Sequence, residues 1–202
     1  MARRTKEDAE KTRLHLLESA LKLFSEKGPA KVTLAEIARE AGATRGAIYW
    51  HFKDKNELLT CLWDEAIAPL EKSFDDLVEL GSVQPLESLE SLISEFLLQL
   101  ATDTHTRQVF RVLEQSFNMQ ELNEEHGLVQ LRCQWSESLT KFFQPVEKMG
   151  FLRDGLTAEI AAFLIMSSVE GLISYHLADE RCIQLESNTR LLAQIYMQMV
   201  RK

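Results

Sequence analysis

The sequence predicts an all-α fold of about nine helices, and three observations carry that expectation. Only 4 Pro and 8 Gly are spread over 202 residues, less punctuation than a strand-rich chain requires. Apolar residues recur at spacings of three and four through most of the chain. Capping residues and Gly or Pro stops fall where those periodic stretches begin and end. With 45% apolar and 27% charged residues, the chain is long enough to bury a core without staples.

A first helix is expected over 6–27, with Leu14, Leu17, Ala20, Leu21 and Phe24 on one face and Gly28-Pro29 as the stop. Thr33 with Glu36 three residues on is a capping-box pattern, and it opens a short helix over 34–41 that turns Ile37 and Ala38 inward. Ala41-Gly42-Ala43 is small throughout, which lets two helices approach at a turn. Thr44 then caps a third short helix over 45–52. Two short helices joined across a glycine turn form a helix-turn-helix pattern.

Asp54, with Glu57 three residues later, caps a longer helix reaching about residue 80. Its stripe is Leu58, Leu62, Trp63, Ala66, Ile67, Leu70 and Phe74, and Pro69 inside it predicts a kink. After a break at 81–85, helices are expected at 86–102, 105–118, 121–149, 158–179 and 187–201, with 150–157 as a loop. The natural division is a small domain, 1–54, on a larger one, 55–202.

The net charge of −8 is unevenly spread. Residues 1–60 carry 12 Lys+Arg against 9 Asp+Glu, whereas the remainder carries 11 against 22. A polyanion is drawn to the first piece and repelled by the second. Cys61, Cys133 and Cys182 lie far apart without metal-ligand spacing, a usage that fits a reducing cytoplasm. The first residues lack the apolar stretch of a secretory signal. The longest near-apolar segment, 160–169, contains two serines, so no membrane span is expected.

The third helix carries the chemistry. Helical geometry turns Ala47, Ile48 and Phe52 inward, and Thr44, Arg45, Tyr49 and His51 outward. Recognition helices place their first residues at base edges in the major groove. There Arg45 suits a bidentate contact to guanine, and Thr44 suits a thymine methyl or a phosphate. Gly46 removes bulk where backbone approaches DNA. Tyr49, His51 and Lys55 suit phosphate oxygens, which fix register without reading sequence. Thr33 offers a hydroxyl and N–H groups at a positive helix end. Trp50 and Phe52 read as support, with a phosphate contact as the alternative for Trp50. Arg3, Arg4 and Lys6 form either a basic arm for a DNA groove or a solvated tail.

These residues carry a family resemblance. Ala20-Leu21-Lys22-Leu23-Phe24 followed by Gly28, then Val32-Thr33-Leu34-Ala35-Glu36-Ile37-Ala38, then the run from Ala41 through Gly42-Ala43-Thr44-Arg45-Gly46-Ala47-Ile48-Tyr49-Trp50-His51 to Phe52, then Lys53-Asp54-Lys55-Asn56-Glu57-Leu58-Leu59, resemble the DNA-binding domain of the TetR family of bacterial regulators. Met1-Ala2-Arg3-Arg4-Thr5-Lys6 and Trp63 further resemble its branch of multidrug-efflux repressors. The resemblance implies a cytoplasmic all-α homodimer on a palindromic operator, released when a small amphipathic or cationic ligand fills a pocket in the C-terminal domain.

Residues 86–202 hold no catalytic or metal-binding constellation, so neither enzyme activity nor a cofactor is expected. Trp63, Ile67, Phe110, Glu114, Phe117, Trp135 and Glu170 are the candidate ligand residues, on the logic that apolar cavities between helices hold ligands. Glu170 interrupts an otherwise mostly apolar helix and has two readings. It is either a pocket acid favouring cationic drugs, with Glu114 as companion, or an acid on the surface or at a subunit contact. By resemblance the last two helices make the dimer contact, with Ile160, Leu164, Val169, Leu172, Ile173, Leu191, Leu192, Ile195 and Met199 available. The expected function is an efflux-operon repressor; the alternatives are a ligand-independent regulator or an activator, and a helical enzyme or adaptor without an operator.

Overall fold

A computed structural model describes residues 6–80, 84–117 and 127–202, apart from the side chains at 79, 80, 117 and 127–129. Among the described residues there are nine α-helices: α1 (Lys6–Lys27), α2 (Leu34–Glu40), α3 (Arg45–His51), α4 (Lys55–Leu80), α5 (Pro85–Thr102), α6 (Thr104–Phe117), α7 (Gly127–Lys148), α8 (Ala158–Ala178) and α9 (Leu185–Val200). They group into two compact units. One holds residues 1–66 and 108–129, the other 67–107 and 130–202. The division expected at residue 54 falls between α3 and α4, whereas these units divide within α4, α6 and α7.

In the first unit, α1 buries Leu16, Leu17, Ala20, Leu21, Leu23 and Phe24. Leu14, expected on that face, is 43% exposed, because the buried stripe begins at Leu16. The Gly28 amide closes α1 on the Phe24 carbonyl at 2.9 Å, with φ at 80°, a conformation that favours glycine. A short 3-10 turn, Pro29–Lys31, follows.

The capping box at α2 is complete. Thr33 Oγ1 accepts from the Glu36 amide at 3.3 Å, and Glu36 Oε2 accepts from the Thr33 amide at 2.9 Å. At its other end the Ala43 amide donates to the Ala38 carbonyl at 2.8 Å and the Gly42 amide to that of Arg39 at 3.2 Å. This is a Schellman closure, and Gly42 supplies the positive φ of 64° it needs. The chain leaves it directly into α3, where Thr44 Oγ1 accepts from the Ala47 amide at 3.2 Å. Ile48 and Phe52 are 0% and 1% exposed. Each contributes about 1.5–3 kcal/mol by burial, and together they anchor α3.

Asp54 Oδ1 accepts from the Glu57 amide at 2.9 Å, capping α4 as expected. Leu58, Leu59, Leu62, Trp63 and Ala66 are buried along its first half, Ile67 and Phe74 along its second. The helix runs through Pro69 without interruption.

In the second unit α5 and α9 pack along each other. Leu89, Leu97 and Leu100 of α5 and Ala193, Met197 and Val200 of α9 are buried. Gly150 repeats the Schellman closure after α7, with φ at 74° and the Phe151 amide on the Val146 carbonyl at 3.2 Å. A bridge between Leu152 and Arg201, which no periodicity announces, joins that turn to the C-terminal residues. The start expected for α7 at 121 lies outside the described residues.

Among the described helices, α8 is long and apolar enough to cross a membrane by length and composition alone, a test that a core helix of a globular protein also passes.

Candidate nucleic-acid interface

The outer face of α3 assembles most of the residues the sequence nominated. Thr44, Arg45 and Gly46 are exposed at its N-terminal turn. Tyr49 follows on the Arg45 side, 60% exposed. Arg45 is exposed, and its guanidinium makes no hydrogen bond or ion pair with the described residues. A Cβ built at Gly46 meets only Thr44 Oγ1, at 3.9 Å, and nothing in the protein requires a glycine there.

Four nominations change. Trp50 is not support: it is 73% exposed, because it stands one residue past Tyr49 on the outer face while Ile48 and Phe52 take the core. His51 is half-buried rather than outward, its ring edge-on to Trp50 at 4.5 Å between centroids. Thr33 has spent its groups within the capping box: its amide and its hydroxyl both donate to Glu36 Oε2 at 2.9 Å. These donors hold the Glu36 carboxyl below the usual carboxylate range, so the start of α2 already has its anion. Lys55 Nζ donates to the Pro29 carbonyl at 3.0 Å and lies 3.5 Å from that of Ala30. That tie fastens α4 to the 3-10 turn, and a phosphate contact by Lys55 has to share it. Arg3 lies outside the described residues.

Two exposed cations that sequence reasoning passed over, Lys31 before α2 and Lys53 after α3, bracket the helix pair along the chain. Lying outside the α-helices, Lys31 in the 3-10 turn and Lys53 in the loop after α3 gave no periodic signal. Near α2, Lys22 Nζ lies 2.6 Å from Glu40 Oε1 and Lys27 Nζ 3.8 Å from Glu36 Oε1, whereas Arg39 on α2 is a further exposed cation.

The comparisons with known proteins fit this geometry. Residues 16–61 match the family described as bacterial regulatory proteins, tetR family. The HTH-type transcriptional regulator TtgR of Pseudomonas putida is 35% identical over 181 residues, covering 86% of this chain and 83% of that protein. The chain belongs to the TetR family. The HTH-type transcriptional regulator AcrR of Shigella flexneri is 34% identical over 206 residues, with 98% of this chain and 94% of that protein covered. Among solved structures, NalD, the secondary repressor of the MexAB-OprM multidrug efflux pump in Pseudomonas aeruginosa, superposes with a TM-score of 0.83 at 30% identity. That superposition covers 98% of this chain and 99% of the other. The chain is a TetR-family DNA-binding transcriptional regulator, and α2–α3 is its helix-turn-helix.

The nominated ligand residues divide between the compact units. Trp63, Phe110 and Glu114 lie in the first, with the Trp63 and Phe110 rings 6.3 Å apart. Ile67, Trp135 and Glu170 lie in the second. The Phe117 side chain is outside the description. In the second unit Phe74 sits between Trp135 at 5.6 Å and Phe142 at 5.8 Å, and Phe142 meets Phe143 edge-on at 5.2 Å. The Trp135 indole nitrogen is buried with no acceptor among the described residues. Glu170 has a partner that the sequence did not name. It is no free carboxylate, because Arg132 holds both its oxygens through Nε and Nη2. An acid on an apolar helix needed a partner, and one 38 residues away in sequence supplies it.

Proposed function

We propose that this chain is a ligand-released repressor of a multidrug efflux operon, bound to a palindromic operator as a homodimer in the bacterial cytoplasm. The observation that carries the DNA reading is α3, whose only buried residue is Ile48 and whose free guanidinium stands at its first position. Arg45 reads a guanine edge, Tyr49 and Trp50 lie against backbone or sugar, and Thr44 keeps its methyl for a thymine. The names of TtgR, AcrR and NalD place regulators, and in NalD an efflux repressor, at this level of identity.

Gly46 gives this reading a sharp test. A Gly46→Ala protein keeps its fold and gains up to about 1 kcal/mol of stability, since the added methyl meets only Thr44 Oγ1, at an ordinary contact distance of 3.9 Å. Its specific affinity for operator falls by about 1–3 kcal/mol, the usual penalty of overfilling a close contact. Thermal melting and gel-shift titration measure the two effects; a variant weakened in both or in neither contradicts a close backbone approach at Gly46.

Dimer formation is supported by the outer faces of α8 and α9. Ile160, Phe163 and Tyr175 of α8 are 44%, 67% and 74% exposed, and Leu191 and Ile195 of α9 are 54% and 43% exposed. Large apolar groups gathered on neighbouring helices mark an association surface. A two-fold pairing of these helices covers them and makes a four-helix contact.

Ligand release is supported by the Phe74, Trp135, Phe142 group with its unsatisfied indole N–H. A buried donor without an acceptor costs about 1–3 kcal/mol, which a ligand oxygen recovers. The neutralisation of Glu170 by Arg132 moves the expected ligand away from simple cations and towards apolar aromatic molecules bearing an acceptor. Operator affinity is therefore expected to fall on adding 2-naphthol and to change less on adding tetraphenylphosphonium. Trp135→Phe weakens 2-naphthol binding by about 0.5–1.5 kcal/mol in isothermal titration, one hydrogen bond, and leaves operator affinity without ligand unchanged. Operator binding indifferent to both probes at saturation argues for a ligand-independent regulator.

A further inference from the structure

We infer that Arg13 is a positioning residue for DNA recognition, whose guanidinium fastens the C-terminal end of α3 to the second turn of α4 and so fixes the helix that carries Arg45. The inference rests on the reading of α3 as the DNA-contacting helix.

Three contacts define the arrangement, all within the first compact unit. Arg13 Nη2 donates to Cys61 Sγ of α4 at 3.1 Å. The centre of the guanidinium lies 5.6 Å from the centroid of the Phe52 ring. Arg13 Nη1 lies 3.7 Å from Glu10 Oε1, one turn back on α1. Phe52 is no ordinary core residue. It caps α3, its amide donating to the Ile48 carbonyl at 2.8 Å, and it is 1% exposed. Whatever fixes its ring fixes the end of α3.

The α4 side is equally specific. Cys61 is half-buried, and burial raises its thiol above the ordinary range, which keeps a neutral sulfur as the acceptor. Asp64 stands three residues further along α4, its carboxyl also raised by desolvation and drawn back down by Arg13. One planar cation thus faces the aromatic ring that caps α3 and a thiol and a carboxylate from α4. Arginine alone spans these at once. Its flat face stacks on the ring while its edge donates, whereas a lysine ammonium is a single point of charge.

These engagements separate Arg13 from the DNA-contacting residues. Arg45 has no partner among the described residues, while the Arg13 fork is occupied and half-buried. A phosphate contact by Arg13 would break the joint it makes. Its effect on recognition therefore runs through the placement of α3.

The test uses the full-length protein and a duplex that the wild type selects from a random-sequence pool, beside a scrambled duplex of equal composition. Kd is measured for both over a salt series, together with thermal melting. In Arg13→Met, Kd for the selected duplex rises about tenfold, the loss expected from a partly desolvated cation–ring contact and a hydrogen bond. Kd for the scrambled duplex, the salt slope and the helical content stay as in the wild type. Arg13→Lys keeps the charge, folds, and lies between the two. An unchanged Kd for the selected duplex in both variants overturns the inference. A salt slope lower by about one unit per protomer shows a direct phosphate contact and also overturns it. Equal weakening on both duplexes with lowered melting, in Lys as in Met, shows a purely structural role and overturns it. A wild type that selects no duplex is a different failure, since it removes the DNA reading of α3 itself and this inference with it.

Discussion

Arg45→Ala is expected to abolish operator discrimination while leaving the protein folded. Arg45 is the first residue of α3, and its side chain makes no hydrogen bond or ion pair with the described residues. Removing it therefore costs the fold almost nothing, within about 0.5 kcal/mol. Its loss at a guanine edge costs about 1–3 kcal/mol, and a two-fold operator doubles this to roughly 2–6 kcal/mol. Specific Kd rises by a factor of roughly 30 to 10⁴ on the usual conversion. Affinity for unrelated DNA falls far less, since most phosphate contacts survive. Systematic base changes in the operator add the decisive control. The position that Arg45 reads becomes indifferent in the variant and stays selective in the wild type. If every operator position remains as selective in Arg45→Ala as before, Arg45 is not the base reader.

Leu191→Glu is expected to convert the protein to monomers. Leu191 is 54% exposed on α9, which packs beside α8, where Phe163 and Tyr175 are also exposed. On a two-fold contact the substitution places two carboxylates in the same apolar setting. Each costs several kcal/mol to bury unpaired, so the dimer constant weakens by at least about 4 kcal/mol, or a thousandfold. The isolated chain keeps its fold because the position faces outward. Operator affinity falls by about a hundredfold or more, since the second half-site is no longer engaged by a tethered partner. Sedimentation velocity with circular dichroism checks the claim. A wild type that sediments as a monomer at micromolar concentration refutes the dimer surface outright.

Much of the fold was legible because its signals are local. Thr33 with Glu36, and Asp54 with Glu57, announce helix starts within four residues, and both pairs form the bonds their spacing implies. Gly42 stands where a left-handed closure needs glycine. The outward side of α3 followed from Ile48 and Phe52 fixing the inward one. What escaped was non-local. Lys55 is held by carbonyls 25 and 26 residues away, Arg13 by a thiol 48 away, and Glu170 by an arginine 38 away. No window on the sequence contains such a pair. Trp50 was misjudged for a different reason: an aromatic on a short helix reads as core by composition, and only packing tells which of three successive rings faces inward. On α8 the pattern is apolar almost all round, so periodicity cannot separate a core-facing side from one awaiting a partner.

Ile48 is the only buried member of α3, a seven-residue helix, and its caps at Thr44 and Phe52 belong to the flanking chain. On the proposed reading of α3, stability and sequence preference are written on different residues. Arg45, Gly46, Tyr49 and Trp50 can drift after gene duplication without endangering the scaffold, because selection for folding does not act on them. A protein built this way acquires a new genomic address through few substitutions and needs no compensating change elsewhere. That modularity helps a single architecture diversify into many regulators within one bacterium.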